Sequence, residues 1–200
     1  RVLLISLNQE RKPFLAFPLG VAYIAEALER NGHTVRVFDN AFKSDPLASL
    51  QDEVNKFRPA MIGLSLRNLD NTSYTAPRFY LPEYSEIVDF CKRNAKAVIM
   101  GGSGFSLVPE AIMNFFNLDY GIIGEGEHSI VCFAEAVEGR YDFSQCPGLI
   151  YKKGPTYKIN PPKLIEDLDT IPLPDFRLLD TAGYLLNNNG KSPCNILTKR

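Results

Sequence analysis

The sequence predicts the α/β class: a doubly wound, five-stranded parallel sheet with helices on both faces, followed by a β-hairpin and an extended linker. Three observations predict it. Strand-like and helix-like segments alternate five times, and such alternation implies right-handed crossovers and a parallel sheet. The strand-like runs are short and mostly apolar, as strands buried on both faces are. Three of them lead directly into loops of small residues, and in an open α/β sheet ligands bind beyond the carboxyl ends of the strands.

Each element has its own signal. Val2-Leu3-Leu4-Ile5 is a fully apolar run that opens the sheet. Pro18 suits the first turn of the next helix, where its missing N–H costs nothing. That helix places Val21, Ile24, Ala25 and Leu28 on one face and stops at Asn31-Gly32. Thr34–Phe38 is the second strand. The second helix carries Leu47, Leu50, Val54 and Phe57, and Pro59 ends it. Met61–Leu66 then runs into Arg67-Asn68-Leu69-Asp70-Asn71. The third helix shows Tyr84, Ile87, Val88 and Cys91 at helical spacing, and Ala97–Met100 runs into Gly101-Gly102-Ser103-Gly104. A fourth helix opens at Pro109-Glu110. Tyr120–Ile123 runs into Gly124-Glu125-Gly126-Glu127, and a fifth helix carries Ile130, Phe133, Ala134 and Val137. The pattern suits a flavodoxin-like or Rossmann-like strand order, 2-1-3-4-5.

Residues 1–145 are expected to form this domain, and residues 146–200 a hairpin and linker. Leu149-Ile150-Tyr151 and Thr156–Ile159 flank Lys153-Gly154-Pro155, which reads as a β-hairpin. Pro161-Pro162, Ile171-Pro172-Leu173-Pro174 and Asn187-Asn188-Asn189-Gly190 give the composition of a linker wrapped over a surface. Asn195–Leu197 reads as the start of a further strand, as in a chain cut short.

The bulk composition narrows the function. The chain has 200 residues, of which 45% are apolar and 22% charged, ordinary values for a folded globular domain. A net charge of −1 leaves no electrostatic footprint for nucleic acid. No apolar run approaches the ~18 residues of a membrane span, and no signal peptide precedes the first strand. The four cysteines, Cys91, Cys132, Cys146 and Cys194, lie far apart without a C-x-x-C pair. They are expected to be reduced thiols in a cytoplasmic protein, without a metal centre of their own.

The candidate site follows from the strand ends. Loops of Gly, Ser and Asn let a flat or phosphate-bearing ligand approach backbone N–H groups. Gly101-Gly102-Ser103-Gly104 is such a loop, or else only a tight turn. It is not a dinucleotide fingerprint, because Leu107 stands where the third small residue belongs, and no P-loop lysine motif is present. Ser65 is placed to hydrogen-bond a ligand or to cap the next backbone N–H. Arg67, Asn68, Asp70 and Asn71 suit polar ligand groups or their own loop's turns. The loops at Leu7–Phe17 and Arg67–Leu81 are long enough to suggest a role, and Phe14 and Phe17 are expected to line an apolar wall. Glu125 and Glu127 precede a helix, where the dipole alone favours acids. His33 falls at the opposite edge of the sheet; His128 is at the right edge but starts a helix. Cys91 is expected in the core.

Taken in order, these features resemble a known family. Pro18-Leu19-Gly20-Val21-Ala22-Tyr23-Ile24-Ala25, Gly32-His33-Thr34-Val35, Gly63-Leu64-Ser65-Leu66-Arg67-Asn68, Gly101-Gly102-Ser103-Gly104-Phe105-Ser106 and Gly124-Glu125-Gly126-Glu127 resemble the N-terminal cobalamin-binding domain of B12-dependent radical SAM enzymes. Glu166-Asp167-Leu168-Asp169 and Ile171-Pro172-Leu173-Pro174-Asp175 resemble the linker to their catalytic barrel, and Asn195–Arg200 the first barrel strand. The resemblance implies cobalamin as cofactor. Ser65 and Gly101, Gly102, Ser103 and Gly104 would surround the nucleotide tail; Asn8, Arg67, Asn68 and Glu125 would face the corrin, and Gly124 is a further cofactor-binding candidate. It also implies a C-terminal radical SAM barrel as partner, holding a 4Fe-4S cluster and S-adenosylmethionine, for methyl transfer or a radical rearrangement. Cobalamin domains of the methionine synthase type carry D-x-H-x-x-G after the first strand. Here Leu7 to Gly20 contains no histidine, so no imidazole from that loop is expected on cobalt. The alternatives are a cobalamin-free docking or substrate-recruitment domain and an FMN binder. FMN would want a Ser/Thr phosphate nest where Gln9-Glu10-Arg11-Lys12 stands.

Overall fold

A computed structural model describes residues 1–11, 14–71, 73–174 and 176–187. Its centre is a seven-stranded sheet in the order β2-β1-β3-β4-β5-β6-β7. Strands β1 (Val2–Ser6), β2 (Val35–Asp39), β3 (Met61–Ser65), β4 (Ala97–Gly101) and β5 (Tyr120–Ile122) are parallel and keep the expected 2-1-3-4-5 order. The sheet departs from the predicted five strands because the hairpin, β6 (Leu149–Lys153) and β7 (Thr156–Ile159), is not separate from it. Strand β6 pairs antiparallel with β5, Gly121 opposite Ile150, and β7 pairs with β6. Leu149 and Ile150 are fully buried there, and the unpaired N–H and C=O groups of β5 gain partners.

Alternation along the strands divides the core in two. Leu3, Ile5, Ile62, Leu64 and Met100 face α2 (Pro46–Phe57), α3 (Leu81–Asn94) and α4 (Pro109–Phe116). Val2, Leu4, Met61 and Ile99 face α1 (Leu19–Arg30) and α5 (Glu127–Val137). Strands covered on both faces must be apolar at every position, which is why they read as runs rather than as alternation. Local chemistry sets the helix ends. The Asp45 side chain accepts from Ala48 N–H at 3.1 Å to start α2, and Arg58, at φ 50°, ends it in a left-handed turn before Pro59. Cys91 is fully buried as expected, and its thiol is pushed up to about 12 by burial.

Two features could not be anticipated from spacing. Cys132 on α5 and Cys146 ahead of β6 form a disulfide, against the expectation of separated thiols. They are 14 residues apart in sequence, but the hairpin's return to β5 brings their Cα atoms within 5.4 Å. The second feature is the tail, which runs back over the carboxyl edge of the sheet and ends in α6 (Thr181–Asn187). Asn188–Gly190, Cys194 and the strand expected at Asn195–Leu197 lie outside the described residues. No described helix is long and apolar enough to cross a membrane.

Candidate functional site

The five parallel strands end at one edge, and strand order reverses between β1 and β3. Ser6 and Ser65 stand opposite each other there, and Ser65 stands opposite Gly101. The ends are tied together by backbone. Leu7 N–H donates to Ser65 C=O at 3.2 Å, and Leu66 N–H donates to Gly101 C=O at 2.8 Å. Leu66 C=O in turn accepts from Gly104 N–H at 3.0 Å.

That packing explains the glycines. A Cβ on Gly102, whose φ is +106°, would stand 2.6 Å from Leu66 C=O oxygen, and one on Gly104 would stand 2.8 Å from Arg67 C=O oxygen. Both glycines are required by the approach of the β4 loop to the β3 loop. Gly101 and Gly124 differ. A Cβ on Gly101 would make only ordinary contact, 3.6 Å from Ile122 C=O oxygen; one on Gly124 would meet only Pro162 at 4.0 Å, so there it is the φ of +80° rather than space that favours glycine. Ser103 Oγ donates to Arg67 C=O at 3.0 Å, so it too serves the loop–loop contact.

Ser106 was not singled out by the sequence as a site residue, although it closes the Gly101–Ser106 motif. Its hydroxyl donates to Gly102 C=O and accepts from Gly124 N–H, both at 3.1 Å, joining the loops after β4 and β5. Glu125 does not stand free toward a ligand: its carboxylate accepts from Ile165 N–H of the tail at 2.7 Å. Asn68, with its amide oriented by its neighbours, accepts from Arg67 Nη1 at 3.3 Å and donates to Arg67 C=O at 3.2 Å. The half-buried Ser65 hydroxyl has no hydrogen-bond partner among the described residues.

The loop between β1 and α1 is held from several sides. Asn8 is buried, and its side chain accepts from Glu10 N–H at 3.4 Å. Asn40, 1% exposed, donates to Leu7 C=O at 3.3 Å, while its own Oδ1 has no hydrogen-bond partner among the described residues. Arg11 donates to Ala41 C=O at 2.9 Å. The Tyr80 hydroxyl donates to the Glu10 carboxylate, linking the first and third loops, and its phenol is pushed up to about 12 by burial and then by Glu10. Phe17 does not line the crevice with Phe14. It packs edge-on against Phe176 and Tyr184 of the tail, at 5.5 and 5.0 Å between ring centroids.

The third loop folds on itself, with Asp70 bridged to Phe79 and Asn71 closing the turn onto Ala76 and Arg78. Tyr74 at its tip is fully exposed. His128 is exposed in the first turn of α5. His33 is half-buried at the far edge with Nε2 3.7 Å from the Glu135 carboxylate. No group of three or more metal-ligating side chains occurs among the described residues. An open hollow of about 370 Å³ lies at that far edge, lined by Val54, Asn55, Arg58, Pro59 and Asn94; the strand ends, not this hollow, bring polar groups from several elements together. The arrangement suits binding: backbone, hydroxyl and amide groups on one edge, with Phe14, Phe79 and Leu107 exposed around it.

Comparison with known proteins agrees with this fold. Residues 12–133 match the B12 binding domain family. The tryptophan 2-C-methyltransferase of Streptomyces laurentii is 34% identical over 169 residues, which cover 82% of this chain and 28% of that protein. The radical S-adenosylmethionine methyltransferase TsrM from Kitasatospora setae, solved with cobalamin and a [4Fe-4S] cluster bound, superposes with a TM-score of 0.73 at 30% identity, covering 83% of this chain and 29% of that one. The cobalamin-dependent S-adenosylmethionine radical enzyme OxsB, with aqua-cobalamin and S-adenosylmethionine bound, shares the fold, with a TM-score of 0.71 at 17% identity over 86% of this chain and 24% of that one. The chain spans between 28% and 35% of the length of the curated relatives it matches.

Proposed function

The chain belongs to the B12-binding domain family, and from that premise we propose that it is the cobalamin-carrying part of a radical SAM methyltransferase whose catalytic barrel lies in sequence beyond it. The observation that carries the reading is the ledge along the carboxyl ends of β3, β4 and β5. There Gly124 leaves open space above its backbone, the Ser65 hydroxyl has no hydrogen-bond partner among the described residues, and a Cβ on Gly101 would make only ordinary contact. These residues fit a large amide-rimmed ligand, which needs approach to main chain more than it needs charge.

Cobalamin bound there supplies a cobalt centre able to carry a methyl group. The chain's own residues do the holding. Ser65 and Gly101 would hold the nucleotide tail, and Asn8, Arg67, Asn68 and Gly124 the corrin rim. Gly102, Ser103, Gly104 and Ser106 keep the loops that carry them in register. Glu125 fixes the tail against the β5 loop. The loop from Leu7 to Pro18 contributes no imidazole, so it would offer a bound cobalt no histidine ligand. The barrel, the cluster and S-adenosylmethionine belong to the proposed whole enzyme. Methyl transfer is favoured over rearrangement by the methyltransferases among its relatives.

The test is titration with hydroxocobalamin followed by visible absorption, then gel filtration. Retention of one equivalent by the wild-type chain, and its loss in Gly101→Val with the fold intact by circular dichroism, is the expected result. No retained absorption at protein concentrations well above micromolar would overturn the reading.

A further inference from the structure

Tyr184 lies in the last described helix, yet its ring fills the space between the first loop and the end of β2. It is buried, and its hydroxyl donates to the Asp39 carboxylate at 2.6 Å across 145 residues of sequence. The ring meets Phe17 and Phe42 edge-on at 5.0 and 4.8 Å, and Leu15 and Ala41 complete the cluster. Phe176 covers Phe17 from outside. Asp39 in turn accepts from Ala41 N–H at 3.1 Å and sits opposite Ser6, the last residue of β1. The described residues of the first loop, by contrast, form no helix or strand. A loop of that length keeps one path only where something packs against it, and much of what packs against Leu15 and Phe17 is the tail.

We propose that Tyr184, with Phe176, is a positioning residue for cobalamin. Docking of the tail holds Leu15 and Phe17, and through them the end of the first loop, in the position that receives the cofactor, so tail docking and cofactor binding are coupled. The inference rests on the cobalamin reading above. Coupling of this kind is reciprocal: what the tail adds to cofactor affinity, the cofactor adds to tail docking.

The experiment uses the whole chain in two arms. In the first, trypsin cleavage is followed by mass spectrometry after Arg11, in the first loop, and after Arg177, in the tail. Tyr184→Phe should speed both cuts roughly fivefold to tenfold relative to the remaining sites, the range of a modest coupling. In the second arm, hydroxocobalamin should slow both cuts in the wild-type chain, and Tyr184→Phe should bind it roughly tenfold more weakly. If Tyr184→Phe fails to fold, Phe176→Leu replaces it, because that ring is 43% exposed and not part of the core. A wild-type chain that binds no hydroxocobalamin overturns the cofactor reading but leaves the first arm to decide the latch. Unchanged cleavage after Arg11 in the variant overturns the positioning role, as does unchanged affinity beside a lowered melting temperature.

Discussion

The backbone oxygen of Leu66 lies 2.6 Å from the point where a Cβ on Gly102 would stand, closer than any side chain tolerates. Leu66 is buried at the end of β3 and bonded to Gly101 and Gly104, so it cannot retreat. Gly102→Ala therefore combines a clash with a φ of +106°, and should destabilise the fold by about 2–4 kcal/mol. Gly101→Ala, one residue away, should cost under about 1 kcal/mol. Chemical denaturation of the pair checks this, and equal losses would show that the two glycines share one role.

Ser106→Ala removes the hydroxyl that joins Gly102 C=O to Gly124 N–H. Breaking that bridge should cost about 1–2 kcal/mol and loosen the β5 loop. Hydroxocobalamin affinity should fall with it. A variant with wild-type stability and affinity would remove the bridge from the account of the site.

Cys132 and Cys146 should resist alkylation in denaturant until a reductant is added. Their bond closes a loop of 14 residues' separation, and for loops near that size reduction costs about 3 kcal/mol. The thermal midpoint should therefore drop on reduction in the wild-type chain and stay put in Cys132→Ser. Immediate alkylation of both thiols in unreduced protein would show that they are adjacent but unbonded.

Alkali should unfold the chain. The Tyr80 phenol is held up at about 12, and Tyr184 is raised as well, by burial first and then by Asp39. An unfolded tyrosine ionises near pH 10, so the folded state binds more protons above that point. Stability from these groups is complete below about pH 10 and is lost as pH rises through the folded values. Denaturation midpoints from pH 8 to pH 12 should fall steeply at the upper end, and less steeply in Tyr80→Phe.

Cobalt should carry no protein nitrogen. Electron paramagnetic resonance of Co(II)-cobalamin on the chain should show no axial-nitrogen splitting that depends on a histidine. Splitting that vanishes in His128→Ala would place an imidazole on the metal and relocate the site.

Much of the architecture was legible because its causes are local. Helical spacing at Val21, Ile24, Ala25 and Leu28 and the stop at Asn31-Gly32 depend only on neighbours along the chain, and α1 ends at Arg30 accordingly. The apolar runs marked β1, β3 and β4, and the small residues after them marked the edge where the loops meet. What those small residues do was not legible. Gly102 and Gly101 look alike in sequence; only the approach of Leu66, from another strand, makes one indispensable to the turn.

The sequence by itself determined the order of elements, the parallel sheet and the edge at which the strand-end loops meet, since periodicity, proline and glycine act over a few residues. Tertiary structure alone decided the rest. Whether Leu149–Lys153 would join β5, whether Cys132 would meet Cys146, and whether Phe17 would face the crevice or the tail are questions about which distant segments touch. So is the pairing of Tyr184 with Asp39. Each is settled by the burial and hydrogen bonding of surfaces far apart in the chain, and no local pattern encodes which of several compatible surfaces will meet.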